Sequence, residues 1–239
     1  AIENARLFER TVEAGRERER LMALQQRTEL ARAKLESEMD FAARIQTALF
    51  PAEMPRLDGY ELSARNRPAR QCGGDYYDAR MIADRSGVDR VLLCVADVSG
   101  KGLPAALVMS NMQATLRALL GRTHSLTDLA ARASDLLYDS TAPEKYVTAA
   151  LLELTPHSGA ARFVGAGHLD NVVISAEGGV RSLSSTGAPL GLLPPGLPYE
   201  LAEFTIESGD CLVLYSDGVS DAQNGADEEF GEARLVDLL

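Results

Sequence analysis

From the first residue to about Leu49 the chain reads as one long helix. No proline interrupts it, and Gly15 is its one glycine. A seven-residue repeat can be laid over 21–49. Leu21, Thr28, Leu35, Ala42 and Leu49 fall at one seam position, and Leu24, Ala31, Glu38 and Ile45 at the other. Thr28 and Glu38 weaken that seam, so the pattern predicts a short, imperfect coiled coil that pairs with a partner helix. Residues 13–20 carry mixed charge and read as a solvated face. Pro51 and Pro55 stop the helix, because neither can continue its hydrogen-bond ladder.

Beyond them the period changes. Alternation predicts strands over 60–66 and 76–82, a turn at 84–87, and a β-rich run over 91–96 that ends at Asp97. Helical spacing follows over 104–120 and 126–138, with Ser125 as the N-cap of the second helix. In the first helix Leu107, Val108, Met112, Leu116 and Leu119 form the expected core stripe. Short strands are predicted over 146–154, 161–165, 171–175, 179–183, 199–206 and 211–215, with hairpin loops at 155–159 and 176–179. A last helix begins within 230–239. Strands, two helices, then strands again, without βαβ alternation, imply an α+β layered domain with antiparallel sheets.

Composition narrows the function. The chain of 239 residues can bury a substantial core. Its net charge of −11 excludes a broad nucleic-acid surface, which needs clustered Lys and Arg. No apolar run reaches the length of a membrane span, and no signal peptide opens the chain. Cys72, Cys94 and Cys211 lack metal-ligand spacing and read as small buried hydrophobes in a reducing compartment. A cytoplasmic location is expected.

The chemistry sits in three acidic segments beside glycine. Gly73-Gly-Asp-Tyr-Tyr-Asp78, Asp97-Val-Ser-Gly-Lys-Gly102 and Tyr215-Ser-Asp-Gly218 each flank a strand-like run. A strand fixes a carboxylate, and glycine lets backbone oxygens approach, which together suit a hard divalent cation. With Ile45-Gln-Thr-Ala-Leu-Phe-Pro51, Ala166-Gly-His168 and Gly187-Ala-Pro-Leu-Gly191, these segments run in the order found in the PPM (protein phosphatase 2C-like) metal-dependent phosphatases. From about Phe41 onward the chain resembles that family, and most of all its bacterial SpoIIE/RsbU branch. Residues 1–8 resemble the closing helix of a GAF sensor domain.

The resemblance implies a four-layer α-β-β-α sandwich of two antiparallel sheets. It divides the chain into a linker helix at 1–40 and a phosphatase domain at 41–239. It further implies two Mn²⁺ or Mg²⁺ ions held by Asp75, Asp97, Asp217 and the Val98 carbonyl, with Asp97 and Asp217 expected on neighbouring central strands. A metal-bound hydroxide would attack a phosphoserine or phosphothreonine directly. The family substrate is a phosphorylated anti-anti-sigma (STAS-domain) protein, whose dephosphorylation frees a sigma factor. A homodimer through the N-terminal helix and an upstream GAF-type sensor complete the expected partners.

Other positions carry two readings each. Asp78 and Asp221 are outer-shell partners or solvated turn residues. Arg67 and Lys101 contact substrate phosphate or lie idle at the surface. His168 hydrogen-bonds a loop as a neutral imidazole, or acts as an acid toward the leaving group. Leu169-Asp-Asn171 replaces the family's usual prolines after that histidine. The family's closing Asp-Asp strand, a further metal ligand, is not reached before Leu239, so a C-terminally truncated domain is expected. A second function class, a regulatory pseudophosphatase that binds its partner without turnover, stays open beside the enzyme.

Overall fold

The computed structural model describes residues 2–69, 71–83 and 89–238. The turn expected at 84–87 lies outside them, as do Ala1 and the side chains of 2–8 on which the GAF likeness rests. The chain divides into two compact units, Ala1–Arg44 and Ile45–Leu239.

The first unit is helical. It belongs to α1, Ile2–Thr47, which ends where Ala48 and Leu49 bond back to the Ile45 and Gln46 carbonyls, just ahead of Pro51. Exposed pairs such as Arg32–Glu36 (2.9 Å) line its surface, each worth a few tenths of a kcal/mol. Leu21, Leu24, Leu35 and Ile45 of the heptad seam are exposed, and so are Met22 and Leu30 outside it.

The second unit is built on two antiparallel sheets. The larger contains β1 (Tyr76–Ala83), β2 (Asp89–Val98), β3 (Val147–Thr155), β4 (Ala160–Ala166) and β7 (Ala202–Thr205), in the order β1-β2-β3-β4-β7. The smaller contains β5 (Asn171–Ile174), β6 (Val180–Leu183) and β8 (Cys211–Val213), in the order β6-β5-β8. Alternate residues of the large sheet serve two cores, as a period of two dictates. Cys94, Ala96, Val147, Ala149 and Leu151 pack under α2 (Leu103–Leu119) and α3 (Leu126–Ser140). Val91, Ala150, Leu152 and Phe163 point the other way, toward Val173 and Leu183 of the small sheet. Two short helices follow that sheet, α4 (Asp217–Ser220) and α5 (Glu232–Leu238).

The caps explain the helix limits. Ser125 accepts the Asp128 amide (3.1 Å), the N-cap expected from its position. Three expectations need correction. Residues 60–66 form no strand; they run extended, with a single bridge between Leu57 and Tyr60, because their alternation finds no ladder partner among the described residues. Leu107 is 64% exposed, since it lies about 200° around the helix from the buried Ala105 and Met109. Cys211 is exposed on β8, while Cys72 and Cys94 are buried as expected.

Candidate metal centre

The register of β1 and β2 places the first two acids. The ladder ends at the Tyr76–Ala96 pair, and the same register carried one step past it sets Asp75, just before β1, opposite Asp97, with Gly74 packed against Val98. Directly opposed residues on a sheet face hold their Cβ atoms about 5 Å apart, close enough for like charges to repel. Asp217 arrives from elsewhere: it opens α4 after β8 of the small sheet. Asp97 and Asp217 are therefore not on neighbouring strands. The neighbour of Asp97 across the ladder is Asp75, and Asp217 faces the pair from the second sheet's side of the domain.

Electrostatics join the three. Burial pushes the Asp97 carboxyl up to about 7, with Asp75 and then Asp217 adding repulsion against the Val98 amide that favours the charge. Asp75 is also raised, first by burial, while the Ser216 hydroxyl and His168 draw it down and Asp217 draws it up. One oxygen of Asp75, Oδ1, is buried without a hydrogen-bond partner. An orphaned carboxylate oxygen beside a repelling acid is the environment a cation relieves.

Backbone shape fits the same purpose. A Cβ on Gly74 would sit 2.8 Å from the Val98 carbonyl oxygen, so glycine is required for the chain before Asp75 to close on the end of β2. Among the described residues, no three His, Cys, Asp or Glu side chains converge into a finished cage. Hard divalent ions such as magnesium keep several waters and take only one or two carboxylates directly. The donor set is all oxygen. These residues fit hard divalent ions.

The remaining candidates separate cleanly. Asp78 is not a solvated turn residue: it is 7% exposed on β1 and bonded to Arg117 of α2. There it accepts from the Tyr76 hydroxyl (2.7 Å), Arg80 Nε (3.2 Å) and Arg117 Nε (3.1 Å). Asp221 is the exposed C-cap of α4, bonded through its amide to the Asp217 carbonyl (2.8 Å). Arg67 is exposed and, with Asp75, Tyr77, Val95, Leu212 and Gly218, lines a cleft of ≈ 990 Å³. Lys101 is exposed in the turn before α2. His168 is 4% exposed and has both ring nitrogens engaged, Nδ1 with Thr148 Oγ1 and Nε2 with the Tyr215 carbonyl, each at 2.9 Å. Burial lowers its pKa. It has no nitrogen left to act as an acid on a leaving group.

Sequence reasoning missed Ser216, Thr148, Asn171 and Gln46. Only Ser216, next to Asp217, and Gln46, in a motif segment, carried any signal.

The sequence profile of Stage II sporulation protein E (SpoIIE) matches residues 87–239, well over half the chain. The chain belongs to the SpoIIE family. Similar proteins include Protein IcfG of Synechocystis sp., 27% identical over 84% of this chain, and Phosphoserine phosphatase RsbU of Bacillus subtilis, 25% identical over 85%. The chain spans 35% and 60% of the lengths of those two proteins. Among solved structures, the SiaA-PP2C domain of Pseudomonas aeruginosa superposes with a TM-score of 0.70 at 21% identity, covering 87% of this chain and 82% of that one. The SpoIIE match and this superposition agree on a PP2C fold. No helix among the described residues is long and apolar enough to cross a membrane.

Proposed function

We propose that this SpoIIE-family chain is a divalent-metal-dependent protein phosphatase domain acting on phosphoserine or phosphothreonine. The observation that carries the reading is the opposed pair Asp75–Asp97, with one buried carboxylate oxygen unpartnered and a third acid, Asp217, raising both. Asp75, Asp97, Asp217 and the Val98 carbonyl would hold two Mn²⁺ or Mg²⁺ ions. Bound there, such ions supply Lewis acidity toward water and neutralise charge on a phosphoryl group.

The chain's own groups do the rest. The cleft beside Asp75 would take a phosphorylated segment, and Arg67, which also lines it, would grip phosphate in a two-pronged hydrogen bond. Lys101, at the turn after Val98, offers a second positive charge. The proton for the departing serine oxygen comes from solvent, since His168 is committed to other partners.

RsbU is named a phosphoserine phosphatase, which supports a phosphoserine substrate, and the family resemblance makes a phosphorylated STAS-domain protein, in a cytoplasmic partner-switching pathway, our choice. An upstream GAF-type sensor and homodimerisation through α1 belong to the same reading. Hydrolysis of a generic aryl phosphate with manganese tests the core claim. Turnover that needs the ion and vanishes in Asp97→Asn supports it; a chain that binds phosphoprotein but never turns over is the pseudophosphatase instead.

A further inference from the structure

One imidazole spans the two sheets. His168 follows β4 after Gly167, whose φ of 60° and close packing on the Pro189 ring leave no room for a side chain there. That turn delivers the ring into the core. A carbonyl can only accept, so the bond to the Tyr215 oxygen fixes the proton on Nε2. In the neutral ring Nδ1 then accepts, and the Thr148 hydroxyl donates to it. Thr148 is the residue opposite Asp97 in the β2–β3 register.

The other end of this link is gripped twice. The Tyr215 amide donates to Asn171 Oδ1 (2.9 Å), and the fully buried Asn171 anchors its own amide nitrogen on the Leu169 carbonyl (2.9 Å). Residues 168 and 171 thus hold both polar groups flanking Tyr215. Immediately beyond it come Ser216, whose hydroxyl favours the charged form of the Asp75 carboxyl, and then Asp217.

We propose that His168 is a positioning residue which, with Asn171, sets Asp217 against the Asp75–Asp97 pair and so governs divalent-ion affinity. The proposal rests on reading those three acids as ion ligands. Three clustered carboxylates repel one another, and a stiff buried link keeps them at ligand spacing where a flexible one would let Asp217 swing away. A histidine that only filled space would support stability and leave ion affinity untouched.

The test compares wild type with His168→Ala, His168→Gln, Thr148→Val and the His168→Ala/Thr148→Val pair. Manganese binding is read from the paramagnetic resonance of the free ion, below each variant's Tm. Imidazole ¹⁵N resonances of the wild type report the tautomer, with the exposed His124 and His157 as references. We expect a neutral Nε2–H ring at 168 and manganese affinity at least about tenfold weaker in His168→Ala, the scale seen when an outer-shell partner is lost. His168→Gln, which can still donate to the Tyr215 carbonyl, recovers most of it. Thr148→Val weakens binding too, and the pair is no weaker than His168→Ala alone. Unchanged affinity in the folded variants, additive losses, or an Nδ1–H or charged ring would overturn the role. If His168→Ala does not fold, His168→Gln and Thr148→Val decide the matter. Wild type that binds manganese but hydrolyses no phosphomonoester sinks the phosphatase reading alone.

Discussion

Asp75 and Asp97 oppose each other one step past the Tyr76–Ala96 pair, at the ends of two adjacent antiparallel strands. Their mutual repulsion has a pH signature in the ion-free protein. The folded Asp97 carboxyl titrates near 7, above its ordinary 3.8, so between those values the folded state binds more protons than the unfolded one. Stability therefore falls as pH rises through that window and stays low above it. With the ions chelated, Tm should be higher near pH 5 than near pH 8, and Asp97→Asn should shrink the difference. Saturating manganese at the higher pH should restore Tm. An Asp97→Asn protein with the full wild-type pH response would refute the assignment.

Replacing a ligand should separate chemistry from folding. Asp97→Asn and Asp217→Asn should each cut manganese-dependent turnover on the order of a hundredfold or more. The ion-free variants should melt no lower than wild type, because each loses a repelling charge. Near-normal turnover at saturating manganese would remove that residue from the ligand set.

Much of this was legible from the chain, for local reasons. The β1–β2 hairpin, α2, α3 and the short strands follow from alternation, helical spacing and caps that lie within a few residues of one another. Asp75 and Asp97 could be found because glycine flanks them. The burial of Asp78 could not be read, since one of its two cations, Arg117, lies 39 residues away on a helix. His168 could be read as a neutral ring bonded to a loop, but not which groups it joins, since its partners Thr148 and Tyr215 lie 20 and 47 residues away. Residues 60–66 alternate as a strand would, but a strand exists only with a neighbour to bond.

Arg117 should matter to stability out of proportion to its half-buried position on α2. It donates to Asp78 (3.1 Å) and also to the Leu49 carbonyl (2.9 Å) at the end of the segment after α1. Arg117→Met would leave a buried carboxylate with less compensation, at a cost on the order of 2 kcal/mol after allowing for its partial exposure. Chemical denaturation measures this directly. Asp78→Asn combined with Arg117→Met should recover part of the loss, because the uncompensated charge is gone.

Gln46 should tune the ion site from a distance. Its amide nitrogen donates to the Gly73 carbonyl (2.7 Å), and its oxygen accepts the Gly73 amide (3.1 Å). Gly73 lies two residues before Asp75. Gln46→Ala leaves both backbone groups of a half-buried peptide unpaired, costing roughly 1–3 kcal/mol, and frees the chain that carries Asp75. The manganese concentration for half-maximal turnover should rise more than kcat falls. An unchanged metal requirement would mean the clamp serves only the fold.

The heptad seam makes the last prediction, that α1 pairs two chains weakly. Leu21, Leu24, Leu35 and Ile45 are each a little over half exposed. Covering the remainder yields about 1 kcal/mol per side chain, roughly half the value for full burial. Four from each of two helices give about 8 kcal/mol, against an association cost of about 4–15 kcal/mol. Even at the low end of that cost the net gain is about 4 kcal/mol, so a dimer forms only near millimolar concentrations. Sedimentation at increasing concentration should show monomers converting to dimers, and Leu24→Glu or Leu35→Glu should abolish the conversion. Leu30 is 66% exposed but off the seam, so Leu30→Glu should leave it intact. If Leu30→Glu disrupts the dimer as strongly as Leu24→Glu, the pairing uses a different face of α1.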